Sequence, residues 1–380
     1  MQERFDAVAK ALLCDYYLVV EPDKDAKSTK LEIMELEFYV QKEGFHEDPF
    51  THGSEEQKVA GRWYFHRAPR FSADSNRSST GTSWRSGSRK GLDLTIGRFP
   101  PQGTEQAQSS SLLQGGILLR SIRVLGREPK VVSGPSLLVD QILSSSGVKE
   151  IGDLVNGKWG GDTSAFPPSS NPTTPGPAGS PTPPSPPAPT CTLRVIPKSQ
   201  FGSSSSSSKP TGSWGFLGSK KQTVIYSSPR IGLELSHPGT TGPSVRPLHS
   251  RIRFLPRAYR YFREPELLVA NGRPQTFVGA LLHSAKIIGL SDLGAKALKN
   301  PRLIKDVCKI ANFKEPLAQK YLNDFVDGGK GGEKLLEREF VGAKGKGAAG
   351  SPSSYLRMMG AVMAVVSHHQ MELVEAEIEG

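Results

Sequence analysis

Cysteine is scarce: Cys14, Cys191 and Cys308 are the three in 380 residues, far apart and without metal-ligand spacing. Neither a disulfide framework nor a cysteine zinc site is indicated, and a reducing compartment is the natural setting. Long apolar runs are lacking as well. The most apolar late stretch, "MMGAVMAVVS" from Met358 to Ser367, falls well short of the about 20 residues that a spanning helix needs. The N-terminal "MQERFDAVAKALL" has no secretory apolar core and no small-residue cleavage site. The expectation is a chain with no membrane segment. Apolar residues are also few, at 36%, beside 30 Pro and 40 Gly, so part of the chain is expected not to fold. Acidic groups are outnumbered, 37 against 48 basic, giving a net charge of +11 and a pI near 9.5. Such a balance favours an anionic partner, either nucleic acid or an acidic membrane surface.

What is present begins with a helical spacing of Phe5, Val8, Ala9, Leu12, Leu13 and Tyr16, followed by the strand "YYLVVEP" that stops at Pro22. The next strand, "KLEIMELEFYV" from Lys30 to Val40, alternates. With a period of two, Met34, Leu36, Phe38 and Val40 share one side, while Glu35, Glu37 and Tyr39 share the other. The first set reads as core. Two carboxylates roughly 6–7 Å apart by strand rise are either a solvated outer face or a functional one. Further strands are expected at Gly61–Arg67, Gly91–Gly97 and Gly115–Leu125, and a Ser/Pro-initiated helix in "SGPSLLVDQILSSSG".

From Gly157 to about Lys221 the composition turns to "PPSSNPTTPGPAGSPTPPSPPAPT" and "SSSSSSKPTGSWGFLGSKK", which is expected to be a disordered insertion. Order is expected to return in two basic strands, Thr223–Leu235 and Arg251–Phe262, and from Thr276 onward the pattern is helical. The expected organisation is therefore a split domain over 1–156 and 223–275, an insertion over 157–222 and a helical region over 276–380, the last a candidate protein-binding region. The fold class is α+β: a curved, mostly antiparallel sheet with flanking helices, plus the helical C-terminal region.

The order of segments resembles the alkyladenine (3-methyladenine) DNA glycosylases. The places that carry the likeness are "AKALLC", Glu37-Phe38-Tyr39, "EDPFTHG", "GRWYFHR", "ILLRSI", "GPSLLVDQI", "SPRIGL" and "RFLPRAYRYF". They cover roughly Phe5 to Val155 and Thr223 to Arg263. The resemblance implies a monomeric nuclear enzyme, with cytoplasm or an organelle as alternatives, that hydrolyses the N-glycosidic bond of alkylated or otherwise damaged purines. It implies DNA as partner and no metal or cofactor. Such chemistry needs a carboxylate that handles water behind the sugar and a surface on which a flipped base stacks. By resemblance Glu37 is the general base, Arg120 stands beside the water, and Tyr39, His52 and Tyr64 line the base pocket. DNA contact falls to Arg62, Trp84, Arg89, Lys90, Arg230, Arg253 and Arg257.

The chain departs from that pattern where the family places an aromatic wedge, for Lys90 precedes Gly91 here, with Trp84 as a substitute nearby. The family's Arg/Pro/Asn segment is replaced by "GSEEQKVAGRW", and its strand asparagine appears as Gly97 or is displaced to Asp93. His46 is an alternative to His52, and Tyr39 reads equally as a sheet aromatic. Two other functions stay open: a glycosylase-like protein that binds nucleic acid without catalysis, and a small-molecule or nucleotide hydrolase using the Glu35/Glu37 pair.

Overall fold

A computed structural model describes residues 1–22, 27–68, 83–98, 112–168, 189–201, 223–236, 248–268, 272–291 and 293–379. Helix α1 (Gln2–Cys14) precedes β1 (Tyr16–Glu21), the long β2 (Thr29–Lys42), β3 (His46–Glu47), β4 (Trp63–Phe65), β5 (Leu92–Thr95), β6 (Leu113–Val124) and β7 (Lys130–Ser133). Then come α2 (Pro135–Ser145), β8 (Thr192–Pro197), β9 (Tyr226–Ser228), α3 (Ser250–Phe254) and β10 (Arg260–Phe262). The helices α4 (Arg273–Ile287), α5 (Ala295–Leu298), α6 (Pro301–Ala311), α7 (Glu315–Leu335) and α8 (Pro352–Glu379) follow. The class is α+β, and no helix among the described residues is long and apolar enough to cross a membrane.

All strand pairs are antiparallel, along the path β4-β5-β6-β2-β1-β8. One edge of β2 pairs with β6 over nearly its whole length, while the other edge is shared by β1, β10 and β3 in turn. The sheet curls until its two ends meet through residues 163–165. The Trp63 amide donates to the Thr163 carbonyl (2.7 Å), the Val195 amide to Ala165 (2.7 Å), and Trp63 Nε1 reaches the Leu193 carbonyl directly (2.7 Å). Inside the curl lies a core in which α1 contributes Phe5, Ala9, Leu12 and Leu13 and α2 contributes Leu138, Val139, Ile142 and Leu143.

The alternation of β2 holds for Leu36, Phe38 and Val40, which enter that core, but fails at Met34. A β-bulge between Ile33 and Leu36 adds a residue to the register and so shifts the faces. Leu31 and Ile33 point inward, whereas Met34 packs outside with Phe262 and Leu268.

Three expectations need correction. Residues 157–222 do not all stand apart from the fold, because β8 pairs with β1 at six positions from Tyr16↔Pro197 to Glu21↔Thr192. Residues 169–188 and 202–222 lie outside the described residues. The basic segment from Arg251 begins as helix rather than strand, since the His249 side chain accepts the Arg251 amide at the N-cap, and the strand is confined to Arg260–Phe262. Of the strand expected over 223–235, only Tyr226–Ser228 forms.

The helical region also begins earlier than expected, at Arg273, and shares one core with Leu235, Ile252 and Leu255 from the other side of the proposed boundary. Its two longest helices approach at glycine: a Cβ on Gly360 would run into the Phe325 carbonyl oxygen, and one on Gly328 into that of Arg357. Gly360→Ala should therefore force α7 and α8 apart and lower stability by about 1–3 kcal/mol, as overpacking does. Urea unfolding measures it, and an unchanged midpoint would refute the close approach.

Candidate functional site

Residues directly opposed in an antiparallel ladder share a face. Arg260 opposes Glu37, Glu37 opposes Leu118, Leu118 opposes Asp93, and Asp93 opposes Tyr64. A polar row thus crosses the outer face of the sheet. Beside it Tyr39 opposes Gly116, whose missing side chain leaves the Asp93 carboxylate its space, since a Cβ there would sit 2.8 Å from the Asp93 side chain.

At one end of the row the glutamates are enclosed. Glu37 Oε2 accepts from the Tyr39 hydroxyl (2.9 Å) and from Arg120 Nη1 (3.3 Å), and Oε1 accepts from the Ile231 amide (2.8 Å). Its side chain has no exposed surface. Glu35 takes Arg260 Nε (2.6 Å) and the Ser121 hydroxyl (2.5 Å), with Arg120 Nε 3.3 Å away. Arg260 Nη1 continues to Ser228 and to Thr276 of α4, both at 3.0 Å.

Arg230 lies beside this group, paired with Asp48 through both Nη atoms (2.5 and 3.1 Å) and 4.5 Å from the Tyr39 ring centre. Three carboxylates therefore face three guanidinium groups beneath α4 and α8, where Tyr355 is also fully buried. Burial works against charge on Glu35, yet Arg260 and Arg120 hold its pKa below the usual carboxylate value. Burial first, and Glu37 second, pushes the Tyr39 phenol well above its ordinary value. The two outward-facing glutamates of β2 are thus explained by the arginines that dock the helical region onto the sheet.

At the other end, two strands and about 10 Å away by strand spacing, stands a smaller group. Asp93 Oδ1 faces His66 Nε2 (2.9 Å) and Oδ2 accepts from Gln57 Nε2 (3.0 Å). His52 meets His66 edge to face, with ring centres 4.6 Å apart, and Tyr64 lies 5.9 Å from His66. His52 is solvent-exposed; partial burial and then the neighbouring His66 lower its pKa.

The expected site residues thus separate into groups. Glu37, Arg120 and Tyr39 meet, while His52 and Tyr64 join His66 and Asp93 instead. Arg230 is a correction: paired with Asp48 in the interior, it has no surface to offer a phosphate. Arg89, Arg253 and Arg257 are exposed, and so is Arg62, which bonds Ser164 and lies 3.5 Å from Asp162. Lys90 forms an ion pair with Asp140, and Trp84 lies against Gly152 with the Arg67 guanidinium 4.6 Å from its ring centre. Neither projects as a wedge. His46 belongs to the core side, bonded to Val40 and Tyr259.

An open groove of about 780 Å³ runs beside the Trp84 loop, with Arg67, Trp84, Arg85, Lys90, Lys149 and Glu150 in its walls. The expectations from sequence include neither Arg67, Arg85, Lys149 and His66 nor the pairing role of Asp93, and they place Arg260 in a basic strand rather than in an ion network. The available signal was strand alternation, which places His66 with Tyr64, and the lone charge in "GLDLTIG". Among the described residues no group of three or more His, Cys, Asp or Glu is arranged to hold a metal.

No family model matches the chain, and no solved structure matches it. It is similar to the uncharacterized protein L759 of Acanthamoeba polyphaga mimivirus, 28% identical over 158 residues. The match covers 41% of this chain and 64% of the viral protein.

Proposed function

We propose that the protein binds nucleic acid, DNA in the first instance, through the groove beside Trp84, and that Glu37 serves the fold rather than catalysis. The observation that carries this reading is the pairing of an open groove, in which Arg85 and Lys149 stand near an aromatic ring while Arg67 and Lys90 are paired with Glu56 and Asp140, with a Glu37 carboxylate that has no exposed surface. Phosphates seek guanidinium and ammonium groups, and a base stacks on an indole face. The net charge of +11 adds long-range attraction for a polyanion.

Base excision is the second reading, favoured by the contact of Arg120 with Glu37, which the glycosylase likeness implies; Tyr39, which that likeness gives to the base pocket, donates to the same carboxylate. A hydrolase built on the Glu35/Glu37 pair draws no such support, since both carboxylates are engaged by arginines and hydroxyls. The test is a binding titration with an oligonucleotide, run beside base release from a duplex containing alkylated purines. Binding without release is the expected outcome. Release that Glu37→Gln lowers about a hundredfold or more, as loss of a general base does, would establish the second reading in its place.

A further inference from the structure

The His66–Asp93 pair has no part in the nucleic-acid groove or in the buried ion network, yet its geometry is specific. Asp93 is nearly buried, and both of its oxygens are in use, one toward Gln57 and one toward His66. A carboxylate only accepts, so His66 Nε2 carries the hydrogen and Nδ1 presents its lone pair. Among the described residues Nδ1 has no hydrogen-bond partner, and the His66 side chain keeps 12% of its surface open. His52 packs edge-on against the ring and limits its rotation.

Arg85 links this group to the groove. Its backbone amide bonds the His66 carbonyl (2.9 Å), its Nε bonds the Arg67 carbonyl (3.0 Å), and it lines the groove wall. Its terminal nitrogens have no protein partner among the described residues, leaving a fork suited to a phosphate.

We infer that His66, oriented by Asp93, is the general base of a metal-independent RNA-cleaving site beside the groove, with Arg85 holding the phosphate under attack. The inference rests on the nucleic-acid reading above. In the step, His66 Nδ1 takes the proton of a ribose 2′-hydroxyl. The 2′-oxygen forms a bond to phosphorus, and the bond from phosphorus to the 5′-oxygen of the next nucleotide breaks. That 5′-oxygen takes a proton from water, and the hydroxide so formed takes the proton back from His66 Nδ1, which restores the base. The products are a 2′,3′-cyclic phosphate and a 5′-hydroxyl, and no electrons are exchanged. Asp93 is a positioning residue, because it acts on the strand only through the tautomer and orientation of His66. DNA, which has no 2′-hydroxyl, is bound and left intact.

The experiment uses the full chain with end-labelled RNA and DNA oligonucleotides of one sequence, in EDTA, scoring binding and cleavage separately. RNA should be cut to fragments ending in 2′,3′-cyclic phosphate, with DNA uncut. His66→Gln should reduce cleavage about a hundredfold or more while leaving RNA affinity and the melting temperature near wild type. Asp93→Asn should also slow cleavage with affinity kept; should that variant fail to fold, His66→Gln alone decides. RNA that is bound but stays intact overturns the inference and spares the binding reading. Cleavage that survives His66→Gln overturns it too, and absence of binding to either strand removes both.

Discussion

Arg260→Met should lower the unfolding free energy by about 3–5 kcal/mol at pH 7, the usual cost of removing one partner from a buried ion pair. Arg260 has no exposed surface and joins three groups from three parts of the chain: Glu35 on β2, Ser228 on β9 and Thr276 on α4. Methionine fills much of the volume but leaves the Glu35 carboxylate with less positive charge in a dry interior.

The pH dependence follows from the sign of the Glu35 shift. Its folded-state pKa is depressed, so its contribution is present above the unfolded value of about 4.3 and is lost as pH falls through the folded value. In Arg260→Met that depression is weakened, and protonation relieves the uncompensated charge. The gap between variant and wild type should therefore hold from pH 7 down to the unfolded value and narrow only below it, so that it is smaller at pH 3 than at pH 7. Urea unfolding at both pH values tests this; a loss under 1 kcal/mol at pH 7, or a gap that widens in acid, would show that the network does not dock the helical region.

Joining Val155 to Thr223 through a short linker should abolish cooperative unfolding. The intervening chain carries β8, whose Leu193 and Val195 are buried in the core inside the sheet and whose Leu193 carbonyl receives the Trp63 indole. Removing it strips β1 of six paired positions and opens the seam that closes the curl. The point variant Leu193→Ala gives a graded version of the same test, with an expected loss of about 2–5 kcal/mol. A linker variant that melts cooperatively at the wild-type temperature would mean that the seam is dispensable.

How far the sequence revealed this molecule differs from element to element. Strong local periodicity made α1, β1 and most of β2 readable, because burial on one side of a helix or strand leaves its own spacing. Met34 faces outward against the period of two, because a bulge depends on the partner strand and leaves no mark in the strand's own spacing. In β8, "TLRVIP" has a strand's composition, but Pro/Ser-rich stretches on both sides masked six residues whose only stabilisation is long-range. The segment from Arg251 has apolar spacing compatible with strand, and the His249 cap decides for helix.

The site was legible in the same uneven way. Glu37, Tyr39 and Arg120 do meet, because neighbouring strands bring them together. That arginines and the C-terminal helices would enclose them could not be read from β2, since it depends on residues near 230, 260, 276 and 355. His66 and Asp93 stand 27 positions apart, and only the β4–β5 register makes them partners.

The central claim is that the groove beside Trp84 binds nucleic acid, and one measurement tests it most directly. Fluorescence anisotropy of a labelled single-stranded DNA oligonucleotide is followed over a range of salt for wild type, Arg85→Ala and Lys149→Ala. Wild-type log affinity should fall linearly with log salt. Each variant should bind more weakly with a slope shallower by about 0.7, the counterion release expected for one lost contact to a single strand. A flat salt dependence, or variants that match wild type in both affinity and slope, would contradict the account.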